Sequence, residues 1–302
     1  MSTARVALVT GATGFIGGRL VRSLLVDGWE THAIVRPSSN ATTLRDVLGS
    51  SKVHEHDGSI SGLINIVGSV RPLVVFHLAS LVITDYVVAD VEPLIRSNIL
   101  FGTQLLEAMA IAGVSVIVNT GTISQHYEGR DYSPAYLYAA TKQAFQDVLQ
   151  FYCEARGLHA VTLELPDTYG PGDRRPKLLT LLAGAARTGE TLALTPGDQF
   201  LDLLHVEDVV HGCEVAADGL LTGKLPSPSR YRLSSGSLVR LKNVVELYRE
   251  ATGRVVNVVW GGRPYRAREV MEPISPIPIL PGWVPSRSLA TWLAESNTCT
   301  SK

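Results

Sequence analysis

The chain has 302 residues, of which 45% are hydrophobic and 18% are charged. This size and composition exclude a disordered chain and allow either one large α/β domain or a main domain with a smaller lobe. Lys and Arg total 27 against 28 Asp and Glu, so the near-zero net charge gives no reason to expect binding to nucleic acid or to a membrane surface. No apolar run approaches the roughly 20 residues that a membrane-spanning helix needs.

The cysteines Cys153, Cys213 and Cys299 are far apart and odd in number. They form neither a disulfide framework nor a metal-ligand spacing, so we expect a reducing, cytoplasmic location and no metal site. The N-terminal apolar run stops at Gly11 and lacks a charged leader and a cleavage site, which favours a first strand over a signal peptide.

In chain order, the first half alternates between apolar strands and helical patterns. Arg5–Thr10 is apolar and β-branched, and Phe15–Val26 then repeats apolar residues at helical spacing before Gly28. Further apolar runs follow at Thr31–Val35, Val74–Leu78, Val114–Val118 and Val161–Leu165. Buried strands that alternate with helices predict an α/β fold with a doubly wound parallel sheet of the Rossmann type.

After about residue 166, prolines and glycines interrupt the chain, and one clear helix is predicted at Leu238–Arg249. We expect residues 166–302 to form mainly a smaller C-terminal α/β lobe. The sequence leaves open whether Leu201–Val210 and Leu238–Arg249 return to the main domain.

A glycine-rich turn links the first strand to the first helix. Gly11, Gly14 and Gly17 have the spacing G-x-x-G-x-x-G, in which the first glycine permits a tight turn, the second admits a pyrophosphate and the third lets the helix pack on the sheet. The helix start offers unpaired N–H groups and a partial positive charge to phosphates. The turn predicts a dinucleotide site.

Two later positions bear on the type of dinucleotide. An NAD site would carry an acidic residue after the second strand, but this chain has Arg36, with Ser38 and Ser39 close behind. A guanidinium pairs with a 2′-phosphate, so we expect NADP(H) to be favoured over NAD(H). Asp57 and Gly58 follow another extended stretch, where the Asp can accept a hydrogen bond from an adenine amino group.

The predicted catalytic pair is Tyr138 and Lys142. They lie four residues apart on a predicted helix and therefore on the same face. A nearby ammonium and a bound nicotinamide are expected to favour the phenolate of Tyr138, which can then exchange a proton with a carbonyl oxygen. The hydroxyl cluster at 120–124 precedes this pair. Residues 1–165 are therefore expected to form an NAD(P)-binding Rossmann domain that carries the Tyr–Lys pair.

From about Val6 to Leu289 the chain resembles the extended short-chain dehydrogenase/reductases, the NAD-dependent epimerase/dehydratase group. The segments that support the resemblance are His77-Leu78-Ala79-Ser80, Asn98-x-x-x-Gly102-Thr103, Tyr169-Gly170-Pro171-Gly172, His205-Val206-Glu207-Asp208-Val209 and Gly282-Trp283-x-Pro285. The resemblance implies catalytic roles for Thr122, which would bind the substrate carbonyl, and for Tyr138 and Lys142. It extends the cofactor site to Gly11, Thr13, Gly14, Phe15, Ile16, Gly17, Arg36, Ser39, Asp57, Gly58, Leu78, Ala79, Ser80, Asn98, Tyr138, Lys142, Leu165 and Pro166.

Within the family, the stretch around Thr122 and Tyr138 is most similar to nucleotide-sugar 4-ketoreductases such as abequose synthase. Dehydratases place Asp and Glu directly after the catalytic Thr, whereas this chain has Ile123 and Ser124, neither of which is a general base. The resemblance implies reduction, with NADPH, of the 4-keto group of a dTDP- or CDP-linked 4-keto-6-deoxyhexose. It also implies a homodimer.

The substrate site departs from the family pattern. Asp167 replaces the usual Asn, and Leu201 replaces the usual diphosphate-binding Arg, so both changes remove contacts to a diphosphate. Lys177 and Arg263 are the cations favoured as replacements. The substrate contacts implied are Thr122, Ser124 (also the alternative carbonyl anchor), Gln125, Asp167, Lys177, Leu178, Gln199 and Arg263.

Three alternatives remain open at the level of sequence. The first is a nucleotide-sugar 4-epimerase that retains NAD, against which Arg36 argues. The second is a reductase of non-sugar aldehydes or ketones, which the weakened diphosphate site favours. The third is a cofactor-sensing protein without chemistry, which the complete Thr122, Tyr138 and Lys142 set argues against.

Overall fold

The computed structural model describes residues 5–298, so Cys299 lies outside the described residues. The strands are β1 Val6–Thr10, β2 Glu30–Val35, β3 Val53–Glu55, β4 Val74–His77, β5 Val116–Thr122, β6 His159–Leu165, β7 Asp167–Tyr169, β8 Leu192–Ala193, β9 Phe200–His205, β10 Ser229–Arg232, β11 Leu238–Arg240 and β12 Val258–Val259. The helices are α1 Phe15–Val26, α2 Thr42–Leu48, α3 Ile60–Val70, α4 Val91–Ile95, α5 Phe101–Ala112, α6 Leu137–Arg156, α7 Leu178–Thr188, α8 Val206–Leu221, α9 Leu241–Thr252 and α10 Leu289–Thr298.

The main sheet has seven parallel strands in the order β10-β6-β5-β4-β1-β2-β3. Apolar side chains on one face pack against α1 and α8, and those on the other face pack against α3, α5 and α6. Strands covered on both faces need continuous apolar runs, which is why these segments lack the polar alternation of a half-exposed sheet. The predicted doubly wound Rossmann-type fold is confirmed. The order of strands reverses between β1 and β4, which is where such sheets bind ligands.

Helices α5 and α6 approach closely on the second face. A Cβ at Gly102 would lie 2.7 Å from Cζ of Phe145, which is fully buried, so only glycine lets the two helices meet at this point. Burying an aromatic ring of this kind stabilises the fold by about 1.5–3 kcal/mol. The close packing fixes α6 against the sheet.

A smaller lobe forms around a third apolar cluster, which includes Tyr169, Leu203, Val244 and Tyr248. A three-stranded sheet, in the order β11-β9-β7, and the pair β8–β12 belong to this part of the chain. For the helix predicted at Leu238–Arg249, the predicted start was wrong. Leu238–Arg240 is a strand because its backbone pairs antiparallel with Phe200–Asp202, and the helix runs from Leu241 to Thr252.

The chain crosses between the two parts after residue 166. Leu204 and Val209 pack in the main core, and β10 pairs in parallel with β6 at the edge of the main sheet. Helix α9, in contrast, packs in the smaller cluster. The domain boundary at residue 165 stays a prediction.

Asp208 near the start of α8 ties the C-terminal tail to the main domain. Its Oδ1 accepts hydrogen bonds from the backbone N–H and hydroxyl of Ser286, its Oδ2 accepts one from the backbone N–H of Arg287, and its carbonyl oxygen accepts one from the indole of Trp283. Two segments that the sequence analysis noted, around Asp208 and around Trp283, are therefore parts of one contact.

Candidate active site

A cleft of about 350 Å³ lies at the carboxyl ends of the central strands, where loops of the smaller lobe also reach it. Many of the predicted site residues line it. They are Gly11, Gly14, Phe15, Ile16, Gly17, Leu78, Ser80, Thr122, Ser124, Tyr138, Leu165, Pro166, Asp167 and Lys177.

The glycine turn forms one wall of the cleft. Gly11 has φ +73°, and a Cβ there would lie 2.7 Å from the backbone of Leu78 and Ala79. A Cβ at Gly17 would lie 2.7 Å from the carbonyl carbon of Gly11. Both positions therefore require glycine, as the sequence analysis predicted.

Helix α1 begins at Phe15 with no side-chain cap and no acidic residue in its first turn. Its first N–H groups consequently lack intrahelical partners and face the cleft with the positive end of the helix dipole. This open cradle fits the pyrophosphate of a dinucleotide. Thr13, in the same turn, does not line the cleft.

Arg36 and Ser39 lie directly after β2, beyond the cleft described above. The Arg36 side chain is exposed, and its guanidinium has no hydrogen bond or ion pair within residues 5–298. A free cation at this point fits an added phosphate on the adenosine ribose.

Asp57 and Gly58 follow β3, also away from the cleft. Oδ1 of Asp57 accepts hydrogen bonds from the backbone N–H and the hydroxyl of Ser59, at 2.8 and 2.7 Å. The hydrogen bond from the Ser59 backbone lowers the pKa of Asp57 most, and the bond from the Ser59 hydroxyl lowers it further, so this pKa lies below its usual range. The carboxylate therefore orients the start of α3 and stays charged, with Oδ2 left to accept another donor.

Asn98 has an internal role that the sequence analysis did not predict. It lies buried in a π-helical turn, Arg96–Leu100. Its Oδ1 accepts hydrogen bonds from the Ser80 hydroxyl and the Leu81 N–H, and its Nδ2 donates to the Leu81 carbonyl and the Thr141 hydroxyl. All four of its hydrogen-bonding sites are used within the protein, so Asn98 joins the loop after β4 to α6 and has none left for a cofactor.

Tyr138 and Lys142 are both buried in the second and sixth positions of α6. Burial raises the pKa of Tyr138 well above its usual value, an effect that the neighbouring Ser80 side chain only partly offsets. Among the protein groups alone, loss of water around the ring outweighs nearby charge and keeps the phenol neutral. A lowered pKa beside a bound nicotinamide stays a prediction. A neutral phenol is the form that donates a proton.

Burial lowers the pKa of Lys142 to about 8. Its ammonium has no hydrogen bond or ion pair with any residue in the described range 5–298. A buried ammonium without a partner is costly, so it is expected to gain from a hydroxyl or phosphate that a ligand brings. Lys142 does not line the cleft itself.

Thr122 ends β5 and faces the cleft beside Tyr138. Its hydroxyl accepts a hydrogen bond from the Ser124 N–H at 3.3 Å, and its own N–H donates to Oε1 of Gln125 at 2.9 Å. Gln125 is fully buried and donates to Gln143 behind the loop. The prediction of Gln125 as a substrate contact was therefore wrong, because its side chain holds Thr122 from inside.

A buried pair supports the same loop. Nε2 of His126 lies 2.7 Å from Oε2 of Glu164, both side chains are fully inaccessible, and Nδ1 of His126 lies 3.0 Å from the Arg130 carbonyl oxygen. Burial opposes a charge on His126, but the hydrogen bond and the charge of Glu164 outweigh it and raise the pKa of His126. The pair ties the loop after Thr122 to β6.

The far end of the cleft is lined by cations. Lys177 forms an ion pair with Asp167 at 2.8 Å, and the charge of Asp167 raises the pKa of Lys177. Arg175 lies nearer the glycine turn, since its guanidinium is 4.4 Å above the Phe15 ring, and it contacts Asp173 at 2.7 Å. Leu178, in contrast, packs against the core of the smaller lobe rather than lining the cleft.

Two further cations come from residues 263–275, here called the C-terminal strap. Arg266 forms a two-point ion pair with Asp85 at 2.6 and 2.9 Å, and Arg268 stacks over Tyr127 and donates to the Ser133 hydroxyl. Both arginines line the cleft.

Arg263 and Gln199 do not line the cleft, so the structure corrects two of the predicted substrate contacts. Arg263 is exposed, and its backbone N–H donates to the carbonyl oxygen of Leu194, directly after β8. Gln199 is buried and donates to Thr195. Arg266 and Arg268 are the strap residues that reach the cleft.

Tyr136 also lines the cleft, and sequence analysis missed it. Its hydroxyl lies 2.6 Å from the Ser124 hydroxyl, and its ring stacks on Tyr138 with centroids 6.4 Å apart. The position two residues before Tyr138 was the only signal that could have indicated it.

Residues 5–298 contain no group of three or more His, Cys, Asp or Glu side chains arranged to hold a metal ion. No helix within the same range is both long and apolar enough to cross a membrane.

Comparison with known proteins agrees with this geometry. CDP-abequose synthase of Salmonella muenchen is 24% identical over 269 residues, covering 88% of this chain and 87% of that protein. The structure of UDP-glucose 4-epimerase from Thermotoga maritima with UDP-glucose superimposes with a TM-score of 0.83 at 22% identity and covers 98% of this chain and 99% of that one. MoeE5 in complex with UDP-glucose and NAD gives a TM-score of 0.79 at 26% identity, with 98% of each chain covered.

The model of the family described as NAD dependent epimerase/dehydratase matches residues 7–225. This match covers the glycine turn, the hydroxyl cluster and the Tyr138–Lys142 helix. The predicted class, an NAD(P)-dependent oxidoreductase of the short-chain dehydrogenase/reductase type, is confirmed. The chain belongs to the NAD dependent epimerase/dehydratase family.

Proposed function

We propose that this enzyme uses NADPH to reduce the 4-keto group of a dTDP- or CDP-linked 4-keto-6-deoxyhexose. The observation that carries the proposal is the convergence of Thr122 and Tyr138 in one cleft that the glycine turn and a set of cations also line. The substrate enters in the oxidised, keto form, and the product is the corresponding alcohol.

The protein residues supply the acid and the orientation. NADPH, held by the glycine turn, would supply the hydride for the carbonyl carbon. Thr122 donates a hydrogen bond to the carbonyl oxygen, and Tyr138, held neutral by burial, transfers its proton to that oxygen as negative charge develops. Lys142 holds the nicotinamide ribose and stabilises the phenolate that remains.

The cations of the cleft support a diphosphate-linked substrate. Lys177, Arg266 and Arg268 line its far end, where they partly replace the Arg that the family usually has at Leu201. CDP-abequose synthase, a relative over most of the chain, makes a CDP-linked sugar by its name, and UDP-glucose is present in two of the similar structures. These cations argue against a reductase of simple, uncharged carbonyl compounds.

The residues after Thr122 support reduction rather than dehydration. Ile123 and Ser124 both line the cleft, and neither side chain is a base at neutral pH. Removing a proton from the sugar for water elimination needs such a base. Reduction needs only hydride, proton donor and carbonyl anchor.

A 4-epimerase that retains NAD is the second candidate, which the likeness to the Thermotoga maritima enzyme favours. The same Tyr138 and Thr122 would serve both reactions. The unpaired Arg36 favours NADPH, which a reductase consumes, over the NAD that an epimerase keeps. Arg36→Asp is expected to shift preference toward NADH by at least about tenfold, and unchanged preference would remove Arg36 from the 2′-phosphate site.

The test is a screen for NADPH oxidation with nucleotide-linked 4-ketosugars, with the product identified by NMR. The proposal predicts one NADP⁺ formed for each sugar reduced at C4. Conversion of one 4-epimer to the other without added or consumed cofactor would overturn it in favour of the epimerase. Turnover of simple ketones without a nucleotide would favour the non-sugar reductase.

We further propose that the enzyme is a cytoplasmic homodimer. Ile111 of α5 and Phe151 of α6 are large apolar side chains that remain more than half exposed, on helices adjacent in the fold. Sedimentation equilibrium of the wild type and of Phe151→Glu would test this, because the charged variant should be monomeric. A wild-type mass of one chain would contradict it.

A further inference from the structure

The cleft contains a second phenol, Tyr136, that the proposed chemistry does not use. It precedes α6 in an extended conformation, and its ring lies nearly parallel to that of Tyr138, at an interplanar angle of 16°. The two hydroxyls have different neighbours. That of Tyr138 faces Ser80 in the loop after β4, whereas that of Tyr136 lies 2.6 Å from Ser124 in the loop after β5.

Tyr136 therefore belongs to the substrate half of the cleft. The charges of Asp167, Lys177 and Arg266 act on its hydroxyl, although burial has the larger effect and raises its pKa. Tyr136 is thus close both to the proton donor Tyr138, on which its ring stacks, and to the charges of Lys177 and Arg266. A substrate that contacts Tyr138 and those cations would lie against Tyr136.

The Tyr136 and Ser124 hydroxyls form a matched pair. Each can donate one hydrogen bond and accept others, and the single bond between them leaves one O–H and several lone pairs unused. A ligand hydroxyl, which both donates and accepts, can pair with the unused O–H and with one of the unused lone pairs. A methylene group can use neither, so the one O–H that the Tyr136–Ser124 bond does not use would stay unpaired in a partly buried place.

The chemistry of a 4-ketohexose fixes which hydroxyl this is, given the function proposed above. The diphosphate is attached at C1 and the carbonyl is at C4, so the hydroxyl-bearing carbons between them are C2 and C3. C3 is the neighbour of the carbonyl and hence nearest to Tyr138. We propose that Tyr136, together with Ser124, recognises the C3 hydroxyl and selects 4-ketohexoses that keep it over their 3-deoxy counterparts.

The experiment compares kcat/KM for a nucleotide 4-keto-6-deoxyhexose and for its 3-deoxy analogue, in the wild type and in Tyr136→Phe. The wild type should prefer the hydroxylated sugar by about 10–100-fold, because the analogue leaves the remaining O–H of the pair without a partner. Tyr136→Phe keeps the ring that packs on Tyr138 but loses the hydroxyl. Tyr136→Phe should lower kcat/KM for the hydroxylated sugar about tenfold or more, mainly by raising KM. For the 3-deoxy sugar, kcat/KM of the variant should stay within about threefold of the wild-type value.

Tyr132→Phe is the matched control, since Tyr132 is 66% exposed and does not line the cleft. Equal wild-type kcat/KM for the two sugars would overturn the inference while leaving the proposed reduction intact. An equal loss with both sugars in Tyr136→Phe would also overturn it, because that is the pattern of a purely structural residue. Failure to reduce either sugar would contradict the proposed reduction and this inference together.

Discussion

The two halves of the cleft are built in different ways. The cofactor half consists largely of backbone: glycines at 11, 14 and 17, the start of α1 and the loop after β4. The substrate half consists of side chains from separate loops, held by ion pairs such as Asp167–Lys177 and Asp85–Arg266. The comparison indicates that the cofactor half tolerates little change in shape, whereas the substrate half can change specificity one side chain at a time.

The largest expected effect comes from changing Tyr138, which lies where the two halves of the cleft meet. Tyr138→Phe removes the proton donor and keeps the ring, so kcat should fall by about 10²–10⁴-fold. NADPH affinity, measured by fluorescence titration, should stay within about threefold, because the glycine turn is untouched. Retained turnover would mean that another group supplies the proton.

The next effect tests the rigidity of the cofactor half. In Gly17→Ala the new Cβ would lie 2.7 Å from the Gly11 carbonyl carbon, and since the obstacle is backbone, the turn itself must move. NADPH affinity should fall by at least about tenfold, and overpacking should destabilise the fold by about 1–3 kcal/mol. Gly68→Ala, on α3 with no atom within 4 Å of its Cβ, is the control: it should leave NADPH affinity unchanged, and it should not destabilise the fold, because alanine is the better helix former. Normal NADPH binding by Gly17→Ala would refute the tight-turn explanation.

Neutralising a cation should affect the substrate half alone. Lys177→Met and Arg266→Met should each raise KM for the nucleotide sugar several-fold to tenfold, with KM for NADPH unchanged, because both line the far end of the cleft. Arg187→Met, at the end of α7 and away from the cleft, serves as the comparison. If KM for NADPH rises instead, these cations belong to the cofactor half.

The smallest effect is a dependence on pH. The pKa of Lys142 is lowered by burial to about 8, so the free enzyme carries the ammonium below that pH and loses it above. If the ammonium holds the ribose, kcat/KM for NADPH should decline as the pH rises through about 8, since this parameter reports ionisations of the free enzyme. In Lys142→Met the decline should disappear along with most of the activity. A flat wild-type profile from pH 7 to 9 would exclude this role for Lys142.

Much of the cofactor half could be predicted from sequence because its determinants are local. Glycines at 11 and 17 are required by backbone conformation and close contacts within a short segment, and the spacing of Tyr138 and Lys142 defines one helix face. Local patterns are poorer guides to hydrogen-bond partners. Asn98 has its four hydrogen-bonding sites occupied by protein groups, a fact that depends on the packing of α6.

The substrate half was harder to predict because distant segments build it. Arg266 lines the cleft and contacts Asp85, 181 residues earlier, whereas the preferred Arg263 does not line the cleft. Gln125 stands beside the catalytic Thr122 in sequence but points into the core toward Gln143. The pattern of Leu238–Arg240 is compatible with a helix, but the segment forms a strand because its backbone pairs with β9. In each case a tertiary contact decided between local possibilities.

The most direct test of the account uses NADPH that carries deuterium at its transferable position, with a nucleotide-linked 4-ketosugar. We predict that the released sugar carries deuterium at C4 and that NADP⁺ forms in equal amount. A product without deuterium, formed with no NADP⁺, would contradict the proposed reduction.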